Sequence, residues 1–332
     1  KSLGEIADAK ISGNLLANRK AEDDEGPDWL DLQVQTNALL RDTQPTTFMD
    51  RLQRLNGQLT RHTRNNPDGT LFALIQLSAT EVRMYSATHA MLVSVMCELA
   101  AREVLKWPDA QQHSLSNAAL TMNLGMTGLQ DQLTRQSEAL SPVQRRAIDS
   151  HAQKSVEMLM ELGVTDPVWL DGVRDHHTQT PGPLQARTPG LQLARLIQRA
   201  DMFAARLAPR AGRAPVAPAA AMQACYFDEN RQVDETGAAL IKAVGIYQPG
   251  SFVRLATDEV AVVVKRGQNT STPRVAVLVN RSGMPTLEPA VRDTSVRDFR
   301  IVASVPHREV KVQINLERLL PLTAASASDR PW

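Results

Sequence analysis

Four histidines and an aspartate in the middle of the chain have the clearest potential for chemistry. They are His89, His151, His176, His177 and Asp201. Imidazole nitrogens and carboxylate oxygens bind zinc, iron and manganese in proteins. Three imidazoles suffice to hold one Zn²⁺ or Fe²⁺ and leave coordination positions open for water. Such histidines can also hydrogen-bond to one another, to the aspartate and to backbone carbonyls without a metal, and the residue types alone leave both alternatives open.

These residues are arranged around the segment 120–126, which reads LTMNLGM. One histidine precedes the segment, and the other three histidines and the aspartate follow it. This order and spacing resemble the bacterial HD-GYP phosphodiesterases. The residues in register with the family signature His-Asp-x-Gly-Lys are Met122, Asn123, Gly125 and Met126. Only the glycine is retained, so over residues 71–264 the chain resembles a degenerate HD-GYP protein.

The resemblance implies two metal sites that share one residue. One site would use the positions of His89, Met122, Asn123 and Asp201, and the other those of Asn123, His151, His176 and His177. An amide such as that of Asn123 carries no charge and is a poor bridge between two cations. The thioether of Met122 binds iron, manganese and magnesium weakly. We therefore expect no competent dinuclear centre, and either no metal or one divalent metal, namely Zn, Fe or Mn.

Ligand recognition also departs from the family pattern. HD-GYP proteins bind cyclic di-GMP with the lysine of the signature, with a Gly-Tyr-Pro loop after the paired histidines and with an arginine after the last aspartate. Here Met126 replaces the lysine, and the loop 178–183, TQTPGP, lacks the Gly-Tyr-Pro motif. Arg210 and Arg213 match the phosphate-binding arginine. The same two arginines could instead solubilise a surface segment that is rich in alanine and proline.

Three functions are compatible with this pattern. The first is a catalytically inactive HD-GYP-like signalling or scaffold protein that binds a partner protein or a cyclic dinucleotide. The second is a metal-dependent phosphodiesterase or phosphohydrolase with residual or altered activity from a His151, His176 and His177 centre. The third is a receptor that binds cyclic di-GMP without cleaving it. Loss of the signature favours the first, with a partner protein from a bacterial signalling pathway, and leaves a homodimer open.

Composition argues against several other classes of protein. In 332 residues, 37 Lys and Arg nearly balance 36 Asp and Glu, so no overall field attracts nucleic acid. The longest apolar run, 90–97, is far shorter than the ~20 residues of a membrane helix, and no signal peptide is recognisable. We therefore expect a cytoplasmic protein without membrane insertion. Cys97 and Cys225 stand singly, which is typical of small buried hydrophobic residues.

Apolar periodicity predicts a mainly α-helical chain as far as Val244. The resemblance makes its central part an HD-type helical bundle with a helical N-terminal extension. We expect a flexible segment at 1–28, a helical region at 29–70, the degenerate HD-GYP-like domain at 71–248 and a small β domain at 249–320. The segment 208–221 is rich in Ala, Pro and Arg, so we expect a surface segment of low order.

At Pro249 and Gly250 the apolar pattern changes from helical spacing to alternation. Alternating or β-branched runs separated by turn residues are typical of strands. The predicted strands are 251–255, Val260–Lys265, Arg274–Val279, 299–305 and 310–315. Five short strands of this kind predict a small barrel-like C-terminal domain.

Overall fold

The computed structural model describes residues 26–209, 211 and 216–325. This part of the chain is mainly helical, as predicted, and carries an antiparallel sheet near its C-terminal end. Its α-helices are α1 (Trp29–Arg41), α2 (Phe48–Asn65), α3 (Pro67–Thr80), α4 (Tyr85–Leu99), α5 (Asp109–Thr121), α6 (Thr127–Arg135), α7 (Pro142–Glu161), α8 (Pro167–Arg174), α9 (Pro189–Leu207), α10 (Pro218–Tyr226), α11 (Glu235–Val244) and α12 (Leu316–Leu319). None of these helices is both long and apolar enough to cross a membrane.

Helix α4 lies at the centre of the helical part. Each of its residues is buried, and it packs against α1, α3, α5 and α9. A helix surrounded by others needs apolar or small residues on every face, and the sequence YSATHAMLVSVMCEL meets that requirement. The π-helical turns Ala100–Leu105 continue it. The histidine of α4 is therefore held in a densely packed core.

Helix α7, which carries His151, and helix α8, which precedes His176 and His177, both begin at residues that cap the helix N-terminus. At the start of α7, the Ser141 hydroxyl accepts from the Gln144 amide at 3.2 Å, and the Gln144 side chain accepts from the Ser141 amide at 3.0 Å. At the start of α8, an Asp166 oxygen accepts from the Val168 amide at 2.9 Å. These contacts satisfy amides that have no partner within a helix, and they determine where both helices begin.

The sheet consists of β1 (Phe252–Leu255), β2 (Val260–Lys265), β3 (Arg274–Val279), β4 (Pro285–Asp293) and β5 (Ile301–Val305). Its order is β4-β3-β2-β1-β5, and neighbouring strands are antiparallel. The edge strands β4 and β5 do not pair with each other, so the described strands form an open sheet and no barrel.

Two strand predictions are corrected. The prediction missed β4, because Pro285 and Pro289 and a largely exposed surface give it none of the usual signals of a strand. The predicted strand 310–315 is wrong, since these residues follow a 3₁₀ turn at His307–Glu309 and lead into α12 without pairing. Val310 and Ile314 instead cover one apolar face of the sheet. The apolar alternation there reflects side chains that pack onto the face of the sheet, and these residues form no strand.

The prediction of low order for 208–221 is wrong at its end, where α10 begins at Pro218. Proline at the first helical position is compatible with a helix start, and Ala221, Met222 and Cys225 bury one side of this helix. The alanines that suggested a solvated segment are in part core residues. The four domain boundaries and the HD-type bundle stay predictions, and the predicted flexible segment 1–28 lies outside the described residues except for 26–28.

The sheet packs on α3 through apolar and polar contacts. Phe72 of α3 belongs to the apolar cluster that also contains Phe252 of β1. Gln76 donates from Nε2 to the Gly250 carbonyl at 2.5 Å, and Arg266 donates from Nε to Asp68 at 2.7 Å. The helical part and the sheet therefore share a core at the point where the apolar pattern changes.

Gly250 provides a test of this contact. Its φ is +91°, and a Cβ built there would lie 2.7 Å from the Phe72 carbonyl oxygen. Gly283 has a φ of +77° and no heavy atom within 4 Å of such a Cβ. We expect Gly250→Ala to lower the free energy of unfolding by about 3 kcal/mol, from left-handed strain plus the clash, and Gly283→Ala by about 1 kcal/mol. Urea unfolding measures both, and equal losses would contradict this packing.

Candidate metal site

The predicted site residues come from three helices and one turn. His89 comes from α4, His151 from α7, and Asp201 from α9. His176 and His177 lie in the turn directly after α8. His89 contacts Asp201, and His151, His176 and His177 form a group of neighbouring rings.

Three of the histidines form a cluster with metal-site dimensions. One ring nitrogen from each of His151, His176 and His177 lies within 4.8 Å of the others. The ring centroids of His176 and His177 are 4.0 Å apart, and that of His151 lies 5.2 Å and 5.0 Å from them. His151 and His176 are buried, whereas His177 is exposed. The cluster therefore has one side open to solvent.

Backbone carbonyls fix the tautomers of the two buried rings. His151 Nδ1 lies 2.5 Å from the Ile148 carbonyl oxygen, and His176 Nδ1 lies 2.7 Å from the Val173 carbonyl oxygen. A carbonyl only accepts hydrogen bonds, so each Nδ1 must carry the proton and donate it. In a neutral imidazole, Nε2 is then left with a lone pair and no hydrogen. Metal-binding histidines in proteins are oriented by this kind of contact.

The lone pairs of these two rings face each other. His151 Nε2 and His176 Nε2 lie 3.3 Å apart, and two lone pairs at this distance repel unless a proton or another cation lies between them. Burial lowers the pKa of His151, and burial together with His177 lowers the pKa of His176 to about 3. A shared proton is therefore disfavoured near neutral pH. The donor set fits a metal cation.

His89 and Asp201 are arranged differently, because they satisfy each other. His89 Nε2 lies 2.6 Å from Asp201 Oδ1, so it donates to the carboxylate. His89 Nδ1 is then an acceptor, and the Tyr85 hydroxyl lies 3.3 Å from it. Burial raises the pKa of Asp201, but the hydrogen bond from His89 and the neighbouring histidines outweigh burial and hold this pKa well below its usual range. Neither ring nitrogen of His89 is free for a cation in this arrangement.

The residues in register with the family signature have structural roles. Met122 is 1% exposed and belongs to the main apolar core. The Gly125 amide donates to the Ser155 hydroxyl at 2.9 Å, and a Cβ on Gly125 would lie 2.8 Å from the His151 carbonyl oxygen. The glycine therefore allows the turn Leu124–Met126 to approach α7 directly below its histidine.

Of the three candidate ligand-recognition residues Met126, Arg210 and Arg213, the structure describes Met126. Met126 lines an open cleft of about 430 Å³ together with Arg41 and Lys154. Arg210 and Arg213 lie outside the described residues. Their described neighbour Ala211 donates its amide to the Thr134 carbonyl at 3.1 Å, so Ala211 lies beside the end of α6.

The geometry can be compared with known proteins. The chain is 24% identical over 242 residues to the protein named Cyclic di-GMP phosphodiesterase PA4108 of Pseudomonas aeruginosa. The match covers 71% of this chain and 56% of the relative, so the chain spans about half of that protein. No family model matches the chain, and no solved structure matches it. The similarity supports the resemblance to HD-GYP phosphodiesterases.

Sequence reasoning did not identify how these side chains are held. Tyr85 lies one turn before His89 on α4, a spacing that permits contact on a helix, so this partner had a local signal. The His89–Asp201 bond joins residues from distant parts of the chain and had no such signal. Neither had the contacts of Gln198 and Arg195 with residues outside α9.

A double-mutant cycle tests the closed pair. His89→Ala and Asp201→Ala, measured singly and together by urea unfolding in the presence of EDTA, should show a coupling free energy of about 2 kcal/mol, because each change removes the same buried charge-assisted bond. A control cycle of His89→Ala with Asp149→Ala, an exposed aspartate of α7, should show coupling close to zero. Additive losses in both cycles would mean that His89 and Asp201 are not bonded.

Proposed function

We propose that the protein is an HD-GYP-like signalling protein that holds one divalent metal at His151, His176 and His177 and does not hydrolyse cyclic di-GMP. The supporting observation is the composition of the cluster. In the part of the chain that the structure describes, three imidazoles approach one another within 4.8 Å, and no carboxylate belongs to this group. The site thus has donors for one cation and no anionic bridge for a second.

The absence of a bridging carboxylate from this group determines the chemistry that we propose. Two divalent cations close together repel strongly unless an anion lies between them. In dinuclear hydrolytic sites the two metals together act as a clamp, which stabilises both the attacking and the leaving oxygen of a phosphodiester. Asn123 supplies a neutral amide at the family position of that bridge, and Asp201 is bonded to His89. One metal without its companion therefore lacks the clamp that this hydrolysis uses.

The donor set also restricts the metal. Three neutral imidazoles with an open side suit Zn²⁺ or Fe²⁺, whereas Mn²⁺ prefers oxygen donors and would bind more weakly. When bound, the metal supplies a Lewis acid to whatever enters from solvent. His151 and His176, whose rings are oriented by hydrogen bonds to backbone carbonyls, would bind it from the buried side. His177 would complete the set of ligands from the exposed side.

We also propose the class of ligand that this protein binds. The relative PA4108 is named a cyclic di-GMP phosphodiesterase, so we propose a cyclic dinucleotide or a partner protein in cyclic di-GMP signalling as the ligand. Arg210 and Arg213 are the proposed phosphate contacts. Without hydrolysis, the protein would act by binding, as a scaffold or a receptor.

A second candidate function is residual phosphodiesterase or phosphohydrolase activity from the same three-histidine centre. Three protein ligands leave a coordination position for water, as in catalytic mononuclear zinc sites, and a metal-bound water can be a nucleophile near neutral pH. The open side at His177 favours this candidate, because it gives a substrate access to that position.

Metal analysis and a hydrolysis assay distinguish these functions. Protein purified without chelators should contain about one divalent metal per chain, and His151→Ala should lose it. His113→Ala, which removes an exposed histidine of α5, should retain it. With Mn²⁺ or Fe²⁺ supplied, cyclic di-GMP turnover should remain at background.

Two results would contradict the proposal in different ways. Turnover that depends on metal and disappears in His151→Ala would establish the second candidate function. Wild-type protein without metal, even after incubation with Zn²⁺ and Fe²⁺, would show that the histidines form a metal-free cluster.

A further inference from the structure

His177 differs from the other two imidazoles in how it is held. His151 and His176 are oriented by backbone carbonyls 2.5 Å and 2.7 Å from their Nδ1 atoms. No described residue forms a hydrogen bond with either ring nitrogen of His177, which is exposed. Apart from its ring contacts with His151 and His176, the position of its side chain therefore depends on the backbone of the turn after α8. The contacts of this turn decide how well a third ligand is aimed.

The residue after His177 is tied to α9. Gln198 donates from Nε2 to the Thr178 carbonyl oxygen at 3.2 Å. The Thr178 amide donates to the Asp175 carbonyl at 2.8 Å and closes the turn on its other side. Gln198 is 5% exposed, so little water competes for its amide. Its bond fixes the peptide that follows His177.

Arg195 determines which way the Gln198 amide points. Arg195 Nη1 donates to Gln198 Oε1 at 2.7 Å. A guanidinium has donors and no acceptor, so the amide oxygen must face Arg195 and the NH₂ group must face Thr178. Thus Gln198 is prepared to donate to the turn before any metal arrives.

Two carboxylates hold Arg195 in turn. Arg195 is 4% exposed; it donates from Nε to Asp234 at 2.7 Å and from Nη1 and Nη2 to Glu229 at 2.9 Å and 3.0 Å. Asp234 also caps α11 by accepting from the Gly237 amide at 2.8 Å. We call Gln198, Arg195, Glu229 and Asp234 the brace. It connects α9, the 227–233 turn and the start of α11 to the turn that carries His177.

We propose that Gln198, held by the rest of the brace, is a positioning residue that aims His177 at the metal. The inference rests on the proposed three-histidine site. Gln198 and Asp201 are three residues apart on α9, so the same stretch of helix positions both the closed pair and the third ligand. Partners that hydrogen-bond directly to metal ligands typically change metal affinity 10–100-fold when they are removed, and Gln198 acts on His177 through the adjacent Thr178 carbonyl.

Co²⁺ binding to the whole 332-residue chain tests the inference. Gln198→Met keeps the length and helix propensity of the side chain and removes both of its hydrogen bonds. We expect Co²⁺ to bind at least about tenfold more weakly. The visible absorption of bound Co²⁺ should also change, because a poorly aimed His177 alters the coordination geometry.

Gln76→Met is a matched control. Gln76 is also 5% exposed and donates to a backbone carbonyl, that of Gly250 at 2.5 Å. Its contact, however, joins α3 to the start of the sheet. The substitution should lower thermal stability and leave the Co²⁺ affinity and spectrum unchanged. A loss of affinity in both variants would indicate a general effect of destabilisation and overturn the positioning role.

Gln198→Glu separates the two bonds of the amide. A carboxylate can accept from Arg195 but cannot donate to the Thr178 carbonyl, so it preserves one side of the brace and breaks the other. We expect it to resemble Gln198→Met in Co²⁺ affinity. Wild-type affinity in this variant would overturn the role of the Thr178 bond.

The controls distinguish failure of this inference from failure of the metal site. If His151→Ala loses Co²⁺ and Gln198→Met keeps wild-type affinity and spectrum, the three-histidine site stands and the brace has no positioning role. If wild-type protein binds no Co²⁺, both proposals fall. Amide hydrogen exchange without metal gives an independent readout. The amides of the 177–184 segment should exchange faster in Gln198→Met than in the wild-type protein and at the wild-type rate in Gln76→Met. Equal exchange in all three proteins would contradict the brace.

Discussion

The candidate site depends on two hydrogen bonds from imidazole Nδ1 atoms to backbone carbonyls. They fix the tautomers of His151 and His176 and leave two Nε2 lone pairs 3.3 Å apart in a buried place. Each carbonyl lies three residues before its histidine, near the end of the turn of backbone that carries the ring. Capped helices on a rigid core keep these carbonyls in place, so the fold itself prepares the donors for a cation.

Residues in register with the family signature take part in the packing of this structure. Met122 adds to the apolar core, and Gly125 still permits close packing against α7. His89 and Asp201, which the family resemblance assigns to the weaker site, bond to each other at 2.6 Å. This direct bond pairs the His89 Nε2–H group with the Asp201 carboxylate without a metal.

Local signals predicted much of the structure, and non-local contacts could not be predicted. Apolar periodicity predicted the helical part of the chain, and β1, β2 and β3 followed from alternation. Strand β4 was missed because its prolines and exposed surface resemble a loop, and α10 was missed because buried alanines resemble solvated ones. The family resemblance selected the histidines. Their tautomers, the His89–Asp201 bond and the brace depend on contacts between distant segments, which a single sequence does not reveal.

Nitrogen-15 NMR of the histidine rings during a zinc titration tests the central claim, that one site is open to a cation and the other is closed. Without metal, His151 and His176 should be Nδ1–H tautomers, and His89 should carry its proton on Nε2. One equivalent of Zn²⁺ should shift one ring nitrogen of each of His151, His176 and His177 and leave His89 unchanged. A shift of His89 together with the others, or Nε2–H tautomers at both His151 and His176, would contradict the account.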